Sequence, residues 1–264
     1  MNKATGLPPA LKSSFRKAIA RLTVLGAVGA LLAAPTQASG SQSNNSFPEI
    51  VFVRAPRVMA GERTQRFPEG SHLVRFAPGS STSPITDLTP DFFAAADPQV
   101  SPDATKILFS AQQSASAGWQ VWEMDADGAN QRQITHCSGH CLKPAFLPRD
   151  RIVYTVFSGT GRQQTSAVYV SDESGAGGHP ITFGPGNFEV ETVLQDGRIL
   201  VSAASPLTTG GNGRGSRTLY TIRPDGTGLN VFRQDAPSGA VQSRAEELSD
   251  GTGQPLTPFA LSSG

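Results

Sequence analysis

The sequence predicts an all-β chain: a β-propeller of four-stranded antiparallel blades, about four repeats in number. Three observations lead there. Gly and Pro account for 28 and 20 of the 264 residues, and punctuation this dense means many short elements joined by tight turns. The apolar segments have strand length and are enriched in β-branched and aromatic residues. A unit also recurs: the glycines closing equivalent turns, Gly79, Gly128, Gly175 and Gly226, are spaced by 49, 47 and 51 residues, about the length of one propeller blade.

The elements follow in chain order. A basic stretch with Lys12, Arg16, Lys17 and Arg21 precedes the uncharged apolar run Leu22–Ala34. That run is short of the roughly 20 residues of a bilayer-spanning helix and is followed by small residues, the layout of a secretory signal. Residues 1–38 are therefore expected to be a signal peptide, cleaved after residue 38 or 40, and 39–46 a disordered linker. Repeats are expected over 47–251 and a C-terminal tail over 252–264.

The clearest unit is DPQVSPDATKILFSA followed by WQVWEMDADGANQRQIT, Asp97 to Thr135. Its pieces return from Leu147 to Thr182 and from Leu194 to Phe232, and a degraded copy runs from Glu49 to Thr86. Each unit reads as an innermost strand such as Pro98–Val100, a corner, a strand (KILFSA, RIVYTVF, RILVSAA) and a loop. A further strand (QVWEM, AVYVS, TLYTI), a hairpin turn and a short strand closing on Ile-Thr complete it. The turns DADG, ESG and PDG supply the positive φ that tight hairpins need. No ten-residue helical period separates the strands, which excludes parallel α/β; a two-sheet sandwich shares the strand spacing. One such sheet cannot bury its apolar face alone, so neighbours must stack about an axis.

These units resemble the WD-like repeats of TolB and of the propeller domains of prolyl-oligopeptidase-type peptidases. Asp97–Thr135 is most similar to the propeller region of the hydrazine synthase alpha subunit family. The resemblance covers about residues 47–250 and implies the fold. It does not bring the chemistry with it: the haem attachment string C-x-x-C-H is absent, as is the G-x-S-x-G elbow of the peptidases. Ala104 stands where the family pattern has Gly.

The first unit starts at its second strand, EIVFVR, without an innermost one. Ser243–Gly251 has the position of such a strand, so pairing it with the first unit would close a ring of four blades; in the competing reading Gln254–Leu261 begins a fifth unit. If the ring is incomplete, oligomerisation would finish it.

Few residues suggest chemistry. His136, Cys137, His140 and Cys141 form the string HCSGHC, with the chain's two cysteines. In an exported protein these form a short-loop disulfide, or the four side chains hold zinc or copper. Asp125 and Asp127 lack the spaced acids of a calcium loop and are read as turn residues. Asp97, Asp103 and Asp150 fall at corners facing a rim or the channel, where they either hydrogen-bond the corner or bind a ligand. Trp119 and Trp122 are expected on one strand face, packing in the core or between blades. No nucleophile elbow, H-E-x-x-H or P-loop occurs, and the Gly-rich Thr208–Thr218 reads as a surface loop. A net charge of +1 without a polybasic patch offers nothing to nucleic acid. The expectation is a non-catalytic binding scaffold, periplasmic or secreted, with an envelope or extracellular protein, peptide or glycan as partner and no cofactor. The alternative is an enzyme or enzyme subunit with a small-molecule or metal site in the channel or at the Cys/His link.

Overall fold

The computed structural model describes residues 48–56, 67–78, 85–160, 163–184, 187–204, 217–233, 241–249 and 255–263; for the last two stretches, and for Ala204 and Arg233, it describes the backbone alone. The expected signal and linker, Gly79 and residues 208–216 lie outside the described residues. Contacts divide the chain into Met1–Asn44 and Asn45–Gly264, and the strands of the described residues lie in the second unit.

Four antiparallel sheets follow one another along the chain. The first has three strands, β1 (Ile50–Arg54), β2 (His72–Phe76) and β3 (Ile85–Asp87). The second runs β4 (Ala94–Val100), β5 (Lys106–Gln112), β6 (Gln120–Asp125) and β7 (Arg132–Gln133). The third runs β8 (His140–Leu147), β9 (Arg151–Ser158), β10 (Thr165–Asp172) and β11 (His179–Pro180). The fourth contains β12 (Asn187–Val193), β13 (Ile199–Ala204), β14 (Arg217–Ile222) and β15 (Asn230–Arg233). The unit written in the sequence is therefore one strand order repeated, and the first copy lacks its innermost strand as expected.

The sheets bury their faces on one another. Leu73 and Leu88 of the first sheet region meet Ile107, Phe109, Trp122 and Met124 of the second. Leu108 and Val121 meet Ile152 and Tyr154 of the third, and Val153, Val168 and Val170 meet Val190, Ile199 and Val201 of the fourth. Each such fully buried aliphatic side chain contributes about 1.5–3 kcal/mol.

A backbone clasp explains why Ile-Thr recurs. Ile134 donates its N–H to the Val121 carbonyl at 2.8 Å, and the Thr135 hydroxyl accepts the Val121 N–H at 2.8 Å. Ile181 and Thr182 treat Val168 in the same way, at 2.8 and 2.9 Å. In the first sheet the pair is Leu88 and Thr89 on Leu73, at 2.8 and 2.9 Å, so the closing dipeptide there is three residues beyond the Ile85-Thr86 assigned from sequence. The hairpin glycine of the next sheet then seats on that pair. Gly128 lies against Leu88, Gly175 against the Ile134 carbonyl and Gly226 against Ile181, each with positive φ, so a Cβ at Gly175 would collide with backbone.

Two expectations are corrected. Trp119 and Trp122 do not share a face: three positions separate them, an odd step in a strand. Trp119 packs with Ala94, Ala96, Leu142 and Phe157, while Trp122 meets Phe92 and Phe109. At the C-terminal end, β16 (Val241–Ser249) pairs antiparallel with β17 (Pro255–Ser263) and touches β14 through the single pair Arg217↔Val241. Among the described residues β1 pairs only with β2, so Ser243–Gly251 does not close the ring on the first sheet. β16 instead packs on β12, β13 and β14, as β12 packs on β8, β9 and β10, and 252–264 holds a strand where a tail was expected. The hairpin thus extends the fourth sheet, in the order β12-β13-β14-β16-β17 with β15 on β14.

Candidate functional site

Two regions gather polar side chains. The first runs across the innermost strands, each of which is bulged, between Ala96 and Gln99, Leu142 and Ala145, and Val190 and Thr192. A bulge re-aims the side chains around it. Asp97 and Lys143, each followed by proline, take φ of 51° and 54° there. The hydroxyl of each preceding sheet holds the next strand: Ser110 Oγ accepts the Lys143 N–H at 3.1 Å and Thr155 Oγ1 the Val190 N–H at 2.9 Å. Asp97 Oδ2 accepts from the Ser110 hydroxyl at 3.2 Å and from the Lys143 N–H at 3.3 Å.

Lys143 Nζ then reaches the fourth sheet, 3.0 Å from Glu189 Oε2 and 3.5 Å from Glu191 Oε1. Arg217 Nη1 pairs with Glu189 Oε1 at 2.9 Å, and its Nη2 donates to Ser202 Oγ at 2.6 Å, while that hydroxyl donates to Glu191. Burial works against the Lys143 charge, but Glu189 and Glu191 outweigh it and hold the ammonium above the ordinary lysine range. Burial also raises the Asp97 carboxyl above the usual carboxylate value, with Lys143 opposing that shift. Such a cluster can hold adjacent sheets together and offers paired acids and bases at one place.

The second region is a cleft of about 670 Å³ at one rim, walled by loops next to the first three sheets. Its walls include Phe67 and Phe93, Gln112 at the end of β5, Ser116 of the β5–β6 connection, and the segment Ser138–His140. That last wall is fixed at both ends, because Cys137 and Cys141 are joined in a disulfide with Cα atoms 6.2 Å apart. Gln120 clasps the same loop: its Oε1 accepts the Cys137 N–H at 2.9 Å and its Nε2 donates to the Cys137 carbonyl at 3.0 Å. Backbones pass so closely that a Cβ on Gly139 would meet the Phe157 carbonyl and one on Gly118 the Gly139 carbonyl. His140 Nδ1 accepts the Trp119 N–H at 3.2 Å, so the neutral ring carries its proton on Nε2, and burial lowers the pKa of the ring.

The residues singled out from sequence are dispersed by this arrangement. His136 is exposed and is not in the cleft wall, whereas His140 is. With both sulfurs in the bond, no thiolate remains for zinc or copper, and among the described residues no group of three or more His, Cys, Asp or Glu side chains is placed to hold a metal ion. Asp103 bonds its own corner, accepting from the Ser101 hydroxyl at 2.6 Å and the Thr105 hydroxyl at 2.9 Å; these bonds lower its pKa to about 2. Asp150 is exposed at the β8–β9 turn, and Asp97 alone of the three joins the inner-strand cluster. Asp127 accepts the Ala129 N–H at 2.9 Å within its hairpin. Sequence reasoning missed Lys143, Glu189, Glu191 and Arg217; the one available signal was a Lys-Pro at 143 matching the Asp-Pro at 97.

Comparison with solved structures decides the fold. The hydrazine synthase of Kuenenia stuttgartiensis matches over 75% of this chain and 34% of that one, with a TM-score of 0.63 and 21% identity. A TolB-like protein of Agrobacterium tumefaciens matches over 75% and 66%, with a TM-score of 0.51 and 17% identity. The fold is a TolB-like β-propeller. Among curated proteins, the hydrazine synthase alpha subunit of Kuenenia stuttgartiensis is 35% identical over 102 residues, 37% of the propeller chain. The chain spans 12% of that relative's length. No family model matches. The propeller is thus related to TolB and to hydrazine synthase, and 12% coverage does not transfer the activity of the larger protein.

Proposed function

We propose that this propeller is exported and serves, without chemistry of its own, as a binding scaffold in the periplasm or outside the cell, with a protein, peptide or glycan as partner. The observation that carries the reading is the rim cleft, assembled from loops of three sheets with one wall fixed by the Cys137–Cys141 bond. Loops on a rigid scaffold are where propellers and other β folds carry recognition. Export is supported by the disulfide, which persists in oxidising compartments, and by the apolar run Leu22–Ala34 ahead of Ala38.

A second reading, a subunit of an enzyme, rests on the 102-residue match to hydrazine synthase alpha and on the acid and base groups around Lys143. Zinc or copper at His136, Cys137, His140 and Cys141 would first require reduction of the disulfide. One experiment separates these. The chain, produced with its own leader, is purified from the cell envelope, its N-terminus sequenced, its metal content measured and its neighbours captured by in-cell cross-linking. The scaffold reading expects a start at residue 39 or 41 and a saturable partner. Stoichiometric metal without a partner overturns it.

A further inference from the structure

We infer that the rim cleft is a binding site for an uncharged oligosaccharide, an inference that rests on the scaffold reading above and names its ligand class. The chemistry of the walls selects the class. Phe67 and Phe93 are half-buried, backed by the cluster of Trp119, Leu142 and Phe157, and so form a firm apolar platform at the cleft surface. Around that platform the described hydrogen-bonding groups other than Glu69 are neutral. Gln112 has its Nε2 committed to the Ala117 carbonyl at 2.6 Å, which leaves its amide oxygen as the acceptor. Ser116, Ser138 and Thr160 carry hydroxyls, and His140 brings an Nε2–H, since its Nδ1 is taken by Trp119.

Other classes fit worse. Among the described lining residues there is no Lys or Arg, so a phosphate, sulfate or carboxylate would find no counter-charge on them. One exposed carboxylate, Glu69, is too little for a polycation. Apart from the strand ends at Gln112 and His140 the described walls are loops, which offer an extended peptide little strand edge to pair with. A neutral sugar chain presents C–H faces that sit on phenyl rings and hydroxyls that both donate and accept, and this lining answers both. The size, about 670 Å³, lies within the range of about 300–1,000 Å³ usual for small-molecule sites. The disulfide gains a purpose in this setting: it presets Ser138–His140 as a wall, sparing the ordering cost of a loop on binding.

The test uses the full mature chain and four probes, chitotetraose, cellotetraose, maltotetraose and laminaritetraose, measured by calorimetry, with a random peptide library as the second arm. Saturable binding of at least one tetrasaccharide is expected. Ser116→Trp, at an exposed loop position, should abolish it without changing the melting temperature. Phe67→Ala and the double variant Cys137→Ser/Cys141→Ser should each weaken it about tenfold, equivalent to about 1.4 kcal/mol. Failure of all four sugars to bind overturns the inference, as does sugar binding that Ser116→Trp leaves intact. Peptide binding that Ser116→Trp blocks, without sugar binding, overturns the saccharide and leaves the scaffold reading standing. If neither arm binds and no partner is captured in the envelope, both fall.

Discussion

Single residues in this molecule carry costs that a neighbour offsets. Ala104 has φ of 59°, and the equivalent corners hold Asp150 at 54° and Gly197 at 81°. The family preference for Gly there is a preference for that backbone region, so Ala104→Gly should raise stability by up to about 1 kcal/mol in urea denaturation. The buried charges behave differently. Removing one partner of a buried pair leaves the other uncompensated, and Lys143→Met faces Glu189 and Glu191 side chains that are 7% and 2% exposed. A loss of about 3 kcal/mol is expected, softened where Arg217 remains on Glu189. Because the Lys143 pKa is raised on folding, its contribution is complete below the ordinary value of 10.5 and is lost as pH rises through the folded value. Alkaline denaturation of Lys143→Met should lack that component. Asp97 follows the same direction in an acidic window. A carboxyl raised on folding binds its proton more tightly in the native state, so stability falls as pH climbs from 3.8 through the folded value, and Asp97→Asn should remove that slope in a pH series of melting temperatures.

Elements are held by repeated hydroxyl clasps, and their weight is measurable. Thr182 is buried and accepts the Val168 N–H, so Thr182→Val keeps the shape and orphans a buried donor. The expected cost is about 1–3 kcal/mol by denaturant titration, with Thr182→Ser recovering most of it. The same elements show what could be read beforehand. Strand order, the missing innermost strand of the first unit and the Asp-Gly turns were legible, because period-two burial and turn chemistry are local. Leu88 and Thr89 were misplaced by three residues because the clasp is defined by the strand it grips, at Leu73. The separate faces of Trp119 and Trp122 were legible, because three positions are an odd step along a strand. The inner-strand cluster was illegible because Asp97, Lys143, Glu189 and Arg217 come from separate strands and meet only through bulges. For the disulfide, two lone cysteines four positions apart, read together with the expectation of export, were enough; the cleft beside it needed the loops in place.

The whole molecule behaves as a row of sheets in which each contacts its neighbours. The C-terminal hairpin ends that row as part of the fourth sheet, with β16 against β12, β13 and β14. Deleting residues 241–264 should therefore lower the melting temperature, and an unchanged value would show that the hairpin contributes nothing to the fourth sheet. Relatives of this fold extend further than this chain does, which spans 66% of the TolB-like structure. Stability in such a row is a sum of sheet and interface terms, so losses at one end are felt weakly at the other.

The hydroxyl clasps between inner strands also govern how the chain could be divided. Each innermost strand belongs to the same sheet as the three strands that follow it, so the sheets begin at β4, β8 and β12. Cuts in the connections after Pro90 or His136 would release whole sheets, the second keeping Cys137 and Cys141 on one side. Cuts at the SPD-like corners would strip the second, third and fourth sheets of their inner edges and leave Asp97 and Lys143 on strands without their ladders.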